Sequence, residues 1–185
     1  MRKIYIVTTY TGTIMSYIIK NVRNTDYSHV SISMNQDLSP MYSFGRLNPT
    51  NPIFAGFVEE KIDQGLYAIK KDTVCRVYSL DITLNQYNRL SKNLNEMLNT
   101  RDAYNYDVRS LIMIPIKRNR QRPNKYVCST FVASILENSG ISIIDKPTHN
   151  VCPDDYHDLE NLMLEYEGPI SMYNGKILKS EVASF

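Results

Sequence analysis

Cys128 and His29 are the residues whose types and surroundings best suit covalent chemistry. Cys128 lies in Lys125-Tyr-Val-Cys-Ser-Thr-Phe-Val-Ala-Ser-Ile-Leu-Glu-Asn-Ser-Gly140. There Val127, Phe131, Val132, Ile135 and Leu136 recur at helical spacing, and Ser139-Gly140 supplies the stop of a helix C-terminus. The thiol therefore sits in a first turn, whose unpaired backbone N–H groups stabilise a thiolate and can donate to an oxyanion. His29 lies in Asp26-Tyr-Ser-His-Val-Ser-Ile-Ser-Met34, where Val30, Ile32 and Met34 alternate with His29, Ser31 and Ser33. Strand geometry puts the imidazole and two hydroxyls on one side and the aliphatic residues on the other. An imidazolium beside a thiol lowers its pKa and later protonates a leaving amine, which is the requirement of a cysteine hydrolase. The plain alternatives are a cysteine filling a helix–sheet interface and a satisfied structural histidine.

Two further groupings compete for Cys128. His149 or His157 could serve as its base in the forward, cysteine-first order. His149, Cys152 and His157 also stand in an H-x2-C-x4-H spacing with Cys128 as a fourth ligand, but this is only loosely finger-like and lacks paired cysteines. It is a poor zinc site, and the expectation is no metal and no cofactor.

Around these residues, Lys3 to Thr8 reads as a strand and Thr13 to Val22 as a short helix. Asn35 to Ser39 reads as a turn into a second strand, Pro40 to Gly45, antiparallel to the histidine strand. Pro49, Pro52 and Gly56 make Arg46 to Glu60 read as a long loop. Gly65 to Lys70 and Thr73 to Asp81 read as strands, with Cys75 in a packing role. Thr83 and Gln86 have capping-box spacing, opening a helix to about Leu98 with Leu84, Tyr87, Leu90, Leu94, Met97 and Leu98 as its buried stripe. Tyr104 to Ile116 has no clear period and stays open between helix and strand. Pro153-Asp-Asp155 suits a helix start, Glu167-Gly-Pro a turn, and Ile170 to Tyr173 a last strand.

A chain of 185 residues suits one domain and can bury a core without staples. Its net charge of +2 is too small, and its basic residues too dispersed, for a nucleic-acid surface. The Lys117-Arg-Asn-Arg-Gln-Arg122 cluster reads as a solvated loop. The Met-Arg-Lys opening leads into an apolar run, Ile4 to Val7, that is broken at once, so no secretory signal or membrane span is expected. With Cys75, Cys128 and Cys152 forming no even framework, a reducing, cytoplasmic location is the expectation.

Tyr126-Val-Cys-Ser-Thr-Phe-Val-Ala133 resembles the nucleophile helix of NlpC-type papain-like cysteine hydrolases. Ser28-His-Val-Ser-Ile-Ser33 resembles the histidine strand of their circularly permuted branch, in which that strand precedes the cysteine helix. Tyr42-Ser-Phe-Gly-Arg46, Gly56-Phe-Val-Glu-Glu60 and Pro153-Asp-Asp155 extend the likeness over most of the chain, closest to YiiX-like proteins. The resemblance implies a single α+β papain-like domain over residues 1–185, with a small antiparallel sheet packed against the cysteine-bearing helix. It implies Cys128 as nucleophile, His29 as general base and acid, and the Cys128 N–H as oxyanion donor with help from Tyr27 or Tyr126. Relatives place an orienting Glu, Asp, His or Asn on the strand after the histidine strand; here that position falls near Ser43, a weaker orienting group, and Glu60 is a rival. The implied reaction is cleavage of a peptide, isopeptide or cell-wall peptide amide through a Cys128 acyl-enzyme. Acyl-lipid transfer by the same pair, or a degenerate module that binds peptide without turnover, are the alternatives.

Overall fold

The computed structural model describes residues 1–13, 16, 26–48, 51–107 and 122–175. Its centre is a six-stranded antiparallel sheet of β1 (Arg2–Tyr10), β2 (His29–Ser33), β3 (Met41–Asn48), β4 (Asn51–Glu60), β5 (Val74–Ile82) and β8 (Met163–Pro169), in the order β4-β3-β2-β1-β5-β8. Among the described residues, helices α1 (Gly65–Ile69), α2 (Leu84–Asn99) and α3 (Cys128–Asn138) accompany it. A two-residue parallel pair, β6 (Asn105–Tyr106) with β7 (Lys125–Tyr126), leads into α3. The fold class is α+β. No helix among the described residues is long and apolar enough to cross a membrane.

The pleat sorts the core. Ile4 and Ile6 of β1, Val30 and Ile32 of β2, Phe44 of β3, Phe57 of β4 and Leu80 and Ile82 of β5 cluster with Leu90 and Leu94 of α2 and the apolar stripe of α3. Phe131 packs against Phe44 at 5.3 Å and Phe57 at 5.4 Å between ring centroids. These contacts place α3, and thus Cys128, over the sheet. A smaller cluster, with Tyr5, Val7, Met41, Tyr67, Cys75 and Val77, covers part of the opposite face. Cys75 packs there as expected, and burial followed by the Glu167 charge pushes its thiol pKa up to about 12.

Both long helices carry the ends their sequences announce. Gln86 N–H donates to Thr83 Oγ1 (3.2 Å) and Thr83 N–H to Gln86 Oε1 (2.9 Å), a reciprocal capping box. Leu84, expected in the buried stripe, is 56 % exposed, because it sits in the first turn before α2 meets the sheet. At the end of α3, Gly140 has φ +76°, Gly140 N–H bonds Glu137 O and Ile141 N–H bonds Leu136 O, a Schellman arrangement.

Five local expectations are corrected. The residues read as a long loop are mostly strand, since β4 pairs with β3 from Asn51↔Asn48 to Glu60↔Met41. β4 is an edge of the sheet, where a proline such as Pro52 can be accommodated because its missing N–H need not serve the ladder. Gly65 to Lys70 is helical, with Ala68 N–H on Gln64 O and Lys70 N–H on Leu66 O; so short a run has too few apolar residues to reveal its period. Ile170–Met172 is a single 3-10 turn, and Glu167-Gly-Pro is not a turn but the end of β8, whose alternating carboxylates hid an edge strand. The helix expected from Pro153 is one 3-10 turn, Pro153–Tyr156. The helix expected from Thr13 to Val22, most of Tyr104 to Ile116 and most of the basic cluster lie outside the described residues; Arg122 pairs with buried Asp107 at 3.0 Å.

Candidate functional site

His29 opens β2, with Thr9 of β1 as its register partner. Its Nε2 lies 3.0 Å from Glu60 Oε1 and 3.3 Å from Oε2. The Cys128 thiol lies close enough to the imidazole to help raise its pKa. Residues 29 and 60, separated by a long stretch of chain, are thus hydrogen-bonded to each other, with the thiol of residue 128 near the ring.

Glu60 reaches this cluster from β4, across β3. Ser31 Oγ donates to its Oε2 at 2.7 Å, and Tyr67 Oη, from α1, lies 3.5 Å from the same oxygen and 3.5 Å from Thr9 Oγ1. Ser43 Oγ, also close by, is buried with no hydrogen-bond partner within ordinary bonding geometry. It still lies near enough to help hold the negative charge of the Glu60 carboxylate.

The His29 and Glu60 side chains are 17 % and 18 % exposed. Burial opposes charge on the imidazole, but the neighbouring Glu60 charge, the nearby Cys128 thiol and the hydrogen bond with Glu60 outweigh it, holding the His29 pKa well above the ordinary histidine value. Burial likewise opposes charge on Glu60, yet the His29 charge, the hydrogen bonds from His29 and Ser31 and the nearby Ser43 hydroxyl hold its pKa below the usual carboxylate range. An imidazolium–carboxylate pair is the state these directions describe.

Cys128 begins α3 and is 5 % exposed. Val127, at the N-cap, has no side-chain acceptor, so the first-turn N–H groups of α3 are not capped in the usual way. The Val127 N–H is instead taken by Thr130 Oγ1 at 3.1 Å. On the far side, Ser129 Oγ donates to Val151 O, and Tyr156 Oη donates to Ser129 O at 3.0 Å, anchoring this turn from below.

No protein-family model matches the chain, and no curated protein matches it.

The remaining site expectations divide. Tyr126 stands two residues before Cys128, with its ring 5.2 Å from Phe44, and lines a cavity of about 230 Å³ with Met97, Tyr104 and Phe131. Tyr27 directs its hydroxyl to Glu167 Oε1 (3.5 Å), with the Arg76 guanidinium over its ring and His157 against its edge. That orientation anchors the segment before β2 and does not deliver the hydroxyl to an oxyanion at Cys128. Of the two orienting candidates, Glu60 touches the imidazole, whereas Ser43 does not bond it. His157 bonds Thr8 Oγ1 at 3.2 Å and lies 3.7 Å from Asp154, so its ring is engaged away from the thiol. Among the described residues, no three His, Cys, Asp or Glu side chains are grouped to hold a metal ion. Sequence reasoning missed Ser31 and Tyr67 as partners of Glu60; the polar face of β2 signalled Ser31, and nothing local signalled Tyr67.

Proposed function

We propose that this chain is a thiol hydrolase of the permuted papain-like kind, cleaving an amide through an acyl-enzyme at Cys128. The observation that carries the reading is the His29–Glu60 hydrogen bond, with the Cys128 thiol at the start of α3 near enough to the ring to help raise its pKa. His29, as the imidazolium, already holds the proton, and Cys128 attacks the carbonyl carbon as the thiolate. First-turn N–H groups of α3 stabilise the resulting oxyanion. Collapse of the tetrahedral species breaks the C–N bond, and the imidazolium gives its proton to the departing amine. Water, deprotonated by His29, then cleaves the thioester, releasing the carboxylic acid and restoring the thiolate beside the imidazolium. Glu60 orients the ring and stabilises its cationic form. Peptide, isopeptide and cell-wall peptide amides fit this chemistry, and the same pair could transfer a lipid acyl group.

Labelling with iodoacetamide at slightly acidic pH tests the proposal. Cys128 is expected to react far faster than Cys75 or Cys152, and His29→Ala to slow it; equal rates at all three thiols would sink the hydrolase reading. The near-complete burial of Cys128 favours one rival, a module of the same fold that binds peptide without turnover. Mass spectrometry after incubation with an activated ester separates the two, since only the hydrolase accumulates an acyl adduct on Cys128.

A further inference from the structure

We propose that Gly45 is a positioning residue, whose bare Cα leaves the opening over β3 through which the Glu60 carboxylate, carried by β4, reaches His29 on β2. The inference rests on the Cys128–His29–Glu60 reading and extends it to a residue that touches neither substrate nor thiol.

Strand order creates the difficulty. β3 lies between β4 and β2, so an acid on β4 must cross the side chains that β3 presents on the same face. Met41, the register partner of Glu60, is large and packed into the smaller apolar cluster, but the next two positions on that face are Ser43 and Gly45. A Cβ built on Gly45 would lie 3.2 Å from Glu60 Oε1, 3.4 Å from Ser43 Oγ and 3.4 Å from Val58 Cγ2. Such contacts force a neighbour to yield. Val58 is held in the β3–β4 ladder, so the group that moves is the carboxylate, and it cannot move far without lengthening its bonds to His29 (3.0 Å) and Ser31 (2.7 Å). Gly45 is not in the left-handed region. The position therefore uses the missing side chain, not backbone freedom, and alanine can adopt its backbone without strain.

The register partner of Gly45 supplies a control. Gly56 faces it from β4, and the nearest atoms to a Cβ there would be those of the Leu47 side chain, the first at 3.3 Å. Leu47 is 58 % exposed and free to swing away.

The experiment compares wild type, Gly45→Ala, Gly56→Ala, Glu60→Gln and the Gly45→Ala/Glu60→Gln pair. Cys128 iodoacetamide labelling is followed by peptide mapping across a pH series, with thermal unfolding recorded for each protein. Gly45→Ala is expected to slow labelling near pH 6 by about tenfold, the consequence of a one-unit displacement of a coupled pKa, and to change the shape of the pH profile. Gly56→Ala should label as wild type. In the double variant, filling the opening should add nothing to the loss of the carboxylate. Wild-type labelling of Gly45→Ala beside a slowed Glu60→Gln would overturn the role of Gly45 and leave the triad standing. Wild-type labelling of Glu60→Gln would instead remove the triad reading itself, and Gly45 with it. If Gly45→Ala does not fold, Ser43→Val crowds the same carboxylate from the neighbouring position; slowed labelling there supports the opening and an unchanged rate refutes it.

Discussion

On the side of the sheet under α2 and α3, β1 to β4 present Ile4, Ile6, Val30, Ile32, Phe44 and Phe57; on the other side the same strands present Thr9, His29, Ser31, Ser43 and Glu60. Both sets are largely buried, so their costs differ in kind. The apolar set gains by leaving water and holds α3 in place through area and shape. The polar set loses hydration and is tolerable only because its members satisfy one another, with Ser31, His29 and Tyr67 converging on one carboxylate. The two sets meet at His29, bonded to Glu60 and near the Cys128 thiol. One side positions the thiol; the other determines the charge and direction of the ring that serves it.

Substitutions can break this division or sharpen it. Phe131→Ala, which empties the aromatic contact between α3 and the sheet, is expected to cost about 3–5 kcal/mol in denaturant unfolding. A loss below about 1 kcal/mol would mean that α3 is held otherwise.

Glu60→Gln should have a smaller effect on stability with a distinctive pH dependence. The raised His29 pKa gives stability that is complete below the ordinary histidine value of about 6.5 and lost as pH rises through the folded value. The lowered Glu60 pKa gives stability present above the ordinary carboxylate value of about 4.3 and lost as pH falls through the folded value. The Tm difference between wild type and Glu60→Gln is therefore expected to be widest between about pH 4.3 and 6.5, narrowing on both sides. A difference independent of pH would dissolve the ion pair as an account of this face.

Ser31→Ala deletes a charge-assisted bond and should cost about 1.5–3 kcal/mol while slowing Cys128 labelling, measured by unfolding and peptide mapping together. Thr83→Ala removes the α2 cap, which belongs to neither side of the division. It should cost about 1 kcal/mol and leave labelling unchanged; altered labelling would show that the site depends on α2 more than its contacts suggest.

The legible parts of the fold were those written in local periodicity and end signals. The β2 alternation, the α3 stripe with its Gly140 stop and the Thr83–Gln86 box each describe backbone geometry over a few residues. The illegible parts are those that a neighbour decides. Pro52 argued against a strand, but the edge position of β4 makes the proline acceptable, and the carboxylates of β8 concealed another edge. Gly65–Ile69 was too short to show a period, although its Tyr67 contributes to the site. The choice of Glu60 over Ser43 lay in strand order, to which spacing along the chain gives no access.

From residue types and spacing alone came the two candidate reactive groups, the helix start that carries one and the strand start that carries the other. Periodicity is a property of the local backbone, and it survives whatever the rest of the chain does. Which acid serves the ring, and which small residue lets it pass, was decided only when β4 and β2 took their places on either side of β3. That is a matter of pairing between distant segments, and no local pattern contains it.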